Sequence, residues 1–172
     1  MLAIVGTVWL GEHHGNLSWD LFLRRDTLWV DGLSGLAVGL LLVGTWQLGR
    51  RLVSPLREVE VWIARVVGPL SRSEILALAL ISGFSEEVLF RGAVQSSWGW
   101  PWSLGIFTLL HSGPARSFRY WTLFALIAGG AFTFLTLSRG TLLPAVVAHV
   151  VVNGVNMSLL RRDLESLEVV AQ

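Results

Sequence analysis

The sequence predicts an all-α protein, a polytopic transmembrane helical bundle with about four to five membrane helices. Residues 32–49, 120–138 and 140–160 form three stretches, of 18 to 21 residues, that contain no Asp, Glu, Lys or Arg. Each stretch is long enough to cross a hydrocarbon core about 30 Å thick. Hydrophobic residues make up 53 % of the chain. The nine Trp are a high number for 172 residues, and Trp is enriched at membrane interfaces.

The composition also limits the classes of function. All 13 basic residues are Arg, and a net charge of +1 provides no basic surface for nucleic acid, so no nucleic acid partner is expected. Because the chain contains no Cys, it has no disulfide, no thiolate nucleophile and no Cys-type zinc site. The lipid bilayer is the one partner that the composition predicts.

Residues 1–72 are predicted to be an N-terminal membrane-associated region with one transmembrane helix, at about residues 32–49. Residues 1–10 are apolar but too short to span, so they form an interfacial anchor or the end of a longer helix. Residues 56–67 alternate charged and apolar residues at helical spacing, which is typical of a helix lying on the membrane surface.

Residues 73–160 are predicted to be the core of the protein. Its first helix runs from about residue 73 to residue 96, with Ser71 or Ser73 as the N-cap and Glu74 in the first turn. Residues 161–172 form a polar C-terminal tail, which is either a short helix or disordered.

A shorter helix, residues 102–111, follows Pro101 and precedes the last two spans. The Trp residues around its start are expected to form an interface belt; they are Trp98, Trp100 and Trp102. Several glycines fit the close packing of membrane helices; they are Gly35, Gly39, Gly129 and Gly130.

Two adjacent carboxylates, Glu86 and Glu87, directly follow an uncharged stretch, residues 75–85. A charged side chain near the bilayer centre costs about 2.5–3.5 kcal/mol, so such residues are functional candidates. Arg91 lies four residues after Glu87, which is the spacing of an ion pair on one helix face. Glu86 lies about 100° around the helix from Glu87. We therefore expect Arg91 to neutralise Glu87, or to pair with it for purely structural reasons, while Glu86 faces a cavity.

Three further polar residues, His111, His149 and Asn153, lie within or at the end of apolar segments. If they converge with Glu86, the carboxylate can take a proton from water, and an imidazole can share that water or protonate a leaving amine. The second imidazole and the Asn amide can donate to the oxyanion of a tetrahedral intermediate. The constellation therefore favours hydrolysis of a peptide bond.

A divalent metal such as zinc is an alternative route to the same reaction. Glu86, His111 and His149 are residue types that hold a catalytic metal with one open position, and the metal would then act as a Lewis acid. The mechanism that we prefer requires no cofactor.

Three motifs resemble those of the CPBP intramembrane proteases, in order and in spacing. They are Glu-Glu-x-x-x-Arg at 86–91, Phe-x-x-x-His at 107–111 and His-x-x-x-Asn at 149–153. The family includes the type II CAAX prenyl endopeptidases and the Abi or bacteriocin-immunity proteins. The resemblance covers about residues 73–160 and implies a CAAX-protease-like intramembrane endopeptidase.

The resemblance also implies a role for each residue. Glu86 is similar to the water-activating base, and His111 to its partner. Glu87 and Arg91 are similar to a supporting pair. His149 and Asn153 correspond to the stabilisers of the oxyanion. The implied substrate is a membrane-associated protein or peptide, and the implied location is that of a multi-pass protein in the plasma membrane of a bacterium.

Two other classes of function stay open. In a non-catalytic membrane scaffold, or an immunity or maturation factor, the polar cluster would only hold helices together, as intramembrane His often does. A proton-coupled transporter also uses buried Glu and His, but the short chain and the lack of paired broken helices disfavour it. The sequence has no His-Glu-x-x-His pattern for a site-2-type metalloprotease and no Gly-x-Gly-Asp pattern for an aspartyl intramembrane protease. Ser82 and Ser85 lie near a glycine, as a rhomboid nucleophile would, but one turn before a carboxylate pair that such an enzyme does not need.

Overall fold

The computed structural model describes residues 1–14 and 19–170, and within them all regular secondary structure is helical. This confirms the predicted all-α fold. The helices are α1 (Leu2–His14), α2 (Trp19–Phe22), α3 (Leu28–Leu52), α4 (Pro55–Val67), α5 (Arg72–Glu87), a π-helix (Val88–Val94), α6 (Gln95–Trp98), α7 (Trp100–Leu110), α8 (Phe118–Arg139) and α9 (Leu143–Val170). Three of them, α3, α8 and α9, are long and apolar enough to cross a membrane, as an integral membrane protein requires.

Helix α5 begins with the cap that the sequence predicts. The Ser71 hydroxyl accepts a hydrogen bond from the backbone N–H of Glu74, and the Glu74 carboxylate accepts one from the backbone N–H of Ser71 at 2.7 Å. This reciprocal capping box satisfies two backbone donors that a helix start otherwise leaves unpaired.

A π-helix follows directly, where the sequence predicts one uninterrupted α-helix to about residue 96. The backbone N–H of Gln95 donates a hydrogen bond to the carbonyl oxygen of Phe90, five residues earlier. In an α-helix the acceptor is the carbonyl four residues earlier. Most side chains of this segment are buried. Such wide turns are rare and occur often at functional sites, and no periodicity in the sequence marks this one.

Helix α3 begins four residues earlier than predicted, and Asp31 lies inside it instead of marking the boundary of the span. The Asp31 side chain is fully buried and accepts hydrogen bonds from Thr27 at 2.7 Å and from Thr141 at 3.3 Å. Arg139 donates to it through Nε at 2.6 Å. A buried carboxylate is tolerated when it is paired in this way, so the helix continues through it.

Glycines allow the close approach of α3 and α9. A Cβ at Gly35 would overlap the carbonyl oxygen of Pro144, and one at Gly39 would lie 2.9 Å from that of Ala148. Gly129 likewise faces α7 closely, whereas a Cβ at Gly130 would meet nothing within 4 Å. The packing role expected from the sequence is thus correct for three of the four glycines and wrong for Gly130.

The two ends of the chain extend the bundle. Helix α1 packs on the π-helix, where a Cβ at Gly6 would lie 2.9 Å from the Cα of Leu89. Helix α9 continues to Val170, so the polar tail is helical up to that residue, and residues 171–172 lie outside the described part of the chain. The three Trp of the expected belt are exposed by half or more; they are Trp98, Trp100 and Trp102.

Candidate active site

The adjacent carboxylates lie at the last turn of α5, immediately before the π-helix. The Glu87 side chain is fully buried, and the Glu86 side chain is 20 % exposed. The two therefore occupy different environments, as the 100° separation on a helix predicts.

Glu87 is the centre of a buried ion-pair network. Its Oε1 accepts hydrogen bonds from Arg91 Nη1 at 3.0 Å and from His149 Nδ1 at 2.7 Å. The Arg91 Nη2 donates to the carbonyl oxygen of Gly129 at 3.0 Å, and the guanidinium carbon lies 4.3 Å from the ring centroid of Phe107. These contacts pair the two buried charges with each other and with neighbouring groups, although Oε2 of Glu87 and Nε of Arg91 are buried without a hydrogen-bond partner.

Both imidazoles present the same ring atom to Glu86. Nε2 of His111 lies 3.9 Å, and Nε2 of His149 lies 4.0 Å, from Oε2 of Glu86. Their Nδ1 atoms are engaged elsewhere, His149 with Glu87 and His111 with the carbonyl oxygen of Phe107 at 2.7 Å. Since both of those partners are acceptors, Nδ1 carries a proton in each ring, and Nε2 is left to face Glu86.

Asn153 lies one turn beyond His149 on α9. Its amide nitrogen donates to the hydroxyl of Ser82 at 3.0 Å, a contact that the sequence does not predict. The structure thus brings together Glu86, Glu87, Arg91, His111 and His149, and it places Asn153 beside them with one amide proton engaged.

A cavity with about 670 Å³ of empty space, part of it open to the outside, extends from the imidazoles along α9. His111, His149 and Asn153 line one part of it. Most of the wall is apolar and aromatic, with Trp46, Phe124, Phe132, Val152, Met157 and Leu160 among its residues. Glu86 is not among the residues that line this cavity, so the expectation that Glu86 faces a cavity is not met here. Its carboxylate lies instead beside the Nε2 atoms of the two imidazoles that do line the cavity.

The three expected metal ligands meet only part of what a metal site requires. Two Nε2 atoms and one carboxylate are suitable donors, and both rings are held through Nδ1 as metal-bound His usually is. Among the described residues, however, no group of three His, Asp or Glu side chains is arranged to hold a metal ion. The observed arrangement therefore does not fit a metal with these three ligands.

Two polar residues at the other end of the cavity, Glu60 and Asn156, are not among the candidates that the sequence predicts. Asn156 accepts a hydrogen bond from Gln47 at 2.9 Å. Asn156 could have been predicted from the sequence, because it lies seven residues after His149 and therefore on the same face of a helix. For Glu60, on a different helix, no such signal exists.

No curated protein and no solved structure matches this chain significantly. A family model described as Rce1-like, type II CAAX prenyl endopeptidase, matches residues 69–155, which is half of the chain. This range contains the two carboxylates, both imidazoles and Asn153, and it overlaps most of residues 73–160, where the motifs resemble the CPBP family. The protein belongs to the Rce1-like family of type II CAAX prenyl endopeptidases.

Proposed function

We propose that this protein is an intramembrane endopeptidase that hydrolyses a peptide bond of a membrane-associated substrate, with Glu86 activating the attacking water. The observation that supports this proposal most is the position of Glu86 Oε2, within 4.0 Å of Nε2 of both imidazoles. These distances are too long for direct hydrogen bonds, and a water oxygen can bridge polar atoms at such a separation.

In the proposed reaction, Glu86 takes a proton from water while the water oxygen attacks the scissile carbonyl carbon. A C–O bond forms, and the carbonyl π electrons move to the oxygen. Collapse of this tetrahedral intermediate breaks the C–N bond, and the proton held by Glu86 passes through His111 to the leaving nitrogen. The products are a carboxylic acid and an amine, so atoms and charges balance without a cofactor.

The remaining residues have supporting roles in this proposal. His149 stabilises the oxyanion when its Nε2 is protonated, and Asn153 does so with the amide proton that does not bond to Ser82. Glu87 holds His149 through Nδ1 and neutralises Arg91, so it positions the imidazole without touching the substrate.

The proposal is tested by mass spectrometry of membrane peptides from cells that make either the native protein or Glu86→Gln. The native protein should release peptides that the Glu86→Gln and His111→Ala variants do not, with a loss of about 100-fold or more. Glu58→Gln is the matched control, because Glu58 lies on α4 with an exposed side chain.

Membrane insertion and amount of each variant are measured in parallel. If Glu86→Gln releases the same peptides as the native protein, the water-activating role of Glu86 is wrong. A cellular phenotype restored equally by both proteins would then support the alternative function, a non-catalytic membrane scaffold.

A further inference from the structure

We propose that Glu60 makes the far end of the cavity a binding site for a basic side chain of the substrate, about three residues from the cleaved bond. This inference rests on the proposed function, because it names the class of peptide that the same cavity accepts. The residues that support it lie on α3, α4 and α9.

The first observation is the chemistry of the cavity wall. Glu60 is the one carboxylate among the described residues that line this cavity, and no Arg lines it. The chain has no Lys. The rest of the wall is apolar apart from the two imidazoles and two Asn side chains. A long side chain with an apolar stem and a positively charged end, such as Lys or Arg, matches such a wall.

The second observation is the distance from the proposed catalytic residues. Glu60 interacts with the side chain of Trp46, and the adjacent Gln47 bonds to Asn156 on α9. Glu60 therefore lies near the level of Asn156, seven residues after His149. Seven residues of α-helix span about 10 Å, and an extended peptide covers that length with about three residues.

The third observation is the charge around Glu60. Arg50 Nη1 lies 3.3 Å from its carboxylate, and Arg50 Nη2 bonds to Asp163, so this guanidinium is shared between two acids. Burial raises the pKa of Glu60 above its ordinary value, and the negative charge of Asp163 adds to the rise. The charges of Arg50 and Arg57 and the hydrogen bond with Trp46 lower the pKa but do not fully offset the rise. The neighbouring cations therefore do not fully neutralise the ionised Glu60 carboxylate, and a further cation in the cavity would stabilise it.

Binding is measured with the purified Glu86→Gln protein in nanodiscs, so that no peptide is consumed. The probes are three short apolar peptides that differ at one central position, which is Lys, norleucine or Glu. We expect the Lys peptide to bind at least about 10-fold more tightly than the norleucine peptide, and the Glu peptide to bind most weakly. Norleucine keeps the apolar stem of Lys, so the comparison isolates the charge.

The same titrations are repeated with Glu60→Gln added to Glu86→Gln. The preference for Lys should disappear, whereas Glu58→Gln, an exposed change on the same helix, should leave it intact. Equal affinities for the Lys and norleucine peptides before Glu60 is changed would overturn the proposal, and this arm requires no folded Glu60 variant.

Cleavage assays with the native protein, in which Glu86 is unchanged, separate this proposal from the proposed function. If the Lys peptide binds preferentially but is never hydrolysed, the basic-residue site stands and the endopeptidase proposal fails. If peptides are hydrolysed with no enrichment of Lys or Arg about three residues from the cleaved bond, the endopeptidase proposal stands and the role of Glu60 fails.

Discussion

Glu87 and His149 are joined across two helices by a hydrogen bond of 2.7 Å between Oε1 and Nδ1. The same oxygen also accepts a hydrogen bond from Arg91. Because Nδ1 of His149 is engaged, its Nε2 is the ring atom available to Glu86. A carboxylate that does not reach the cavity therefore determines how an imidazole in the cavity wall is oriented.

Replacing Glu87 should destabilise the fold more than replacing any exposed acid. Glu87→Ala leaves the buried guanidinium of Arg91 without its anion, which costs about 3–5 kcal/mol of unfolding free energy. Glu87→Gln retains an acceptor oxygen and should cost less. Unfolding in detergent micelles measures both, and Glu58→Gln is the control. A Glu87→Ala protein as stable as the native one would contradict the network.

Adding a methyl group to Gly35 should weaken the packing of α3 on α9. Gly35→Ala places a Cβ against the carbonyl oxygen of Pro144, and overpacking of this kind costs about 1–3 kcal/mol. Gly44 lies on the same helix, and a Cβ added there would meet nothing within 4 Å, so Gly44→Ala should not destabilise. The midpoints of thermal unfolding compare the two, and equal midpoints would show that α3 and α9 are not in close contact.

Removing Asp31 should loosen the link between α3 and the turn that joins α8 to α9. Asp31→Ala deprives Thr27, Arg139 and Thr141 of their shared acceptor, and we expect a loss of about 1–3 kcal/mol. Asp26 also pairs with an Arg, but both side chains are exposed, so Asp26→Ala should cost less than about 1 kcal/mol. Chemical unfolding of the two variants tests this difference, and a larger effect of Asp26→Ala would refute it.

The stabilisation that the capping box of α5 gives to the fold should depend on pH. The hydrogen bonds that Glu74 makes with Ser71 hold the pKa of the Glu74 carboxyl below its ordinary value of 4.5. A lowered folded-state pKa stabilises the fold above the unfolded-state pKa, and this contribution is lost as the pH falls through the folded-state pKa. The stability difference between native protein and Glu74→Gln should therefore be present at neutral pH and disappear in acid. A difference that persists below the folded-state pKa would rule out the ionised carboxylate as its source.

Metal removal tests the alternative chemistry directly. We expect dialysis against a chelator to leave peptide release unchanged, because the proposed step uses Glu86, water and imidazole. Elemental analysis of the dialysed protein is the control for complete removal. Activity that is lost on chelation and restored by zinc would show instead that a metal ion takes part.

Much of the site is predictable from the sequence. The pair Glu87 and Arg91 follows from helical spacing alone, and their distance of 3.0 Å confirms it. His111, His149 and Asn153 stand out through their motifs, and the structure brings both imidazoles to Glu86. The catalytic roles of these residues stay predictions that the variants above test.

Other features could not be read from local pattern. The π-helix depends on which backbone hydrogen bonds form at residues 88–94, and hydrophobic periodicity does not distinguish five-residue from four-residue spacing. Asp31 looks like the end of a span because its partner Arg139 is more than a hundred residues away. Glu60 lies in a segment predicted as a surface helix, and only the packing of α4 brings it to the cavity.

The sequence alone determined that the chain forms membrane-length helices, since uncharged runs of 18 residues or more have few other stable environments. It also determined which residues share a helix face, because that depends only on the helical repeat. The tertiary structure decided which charges meet. Glu87 with His149, Asp31 with Arg139, and Glu60 with the cavity each depend on how closely helices approach, and that is set by packing between residues far apart in the chain.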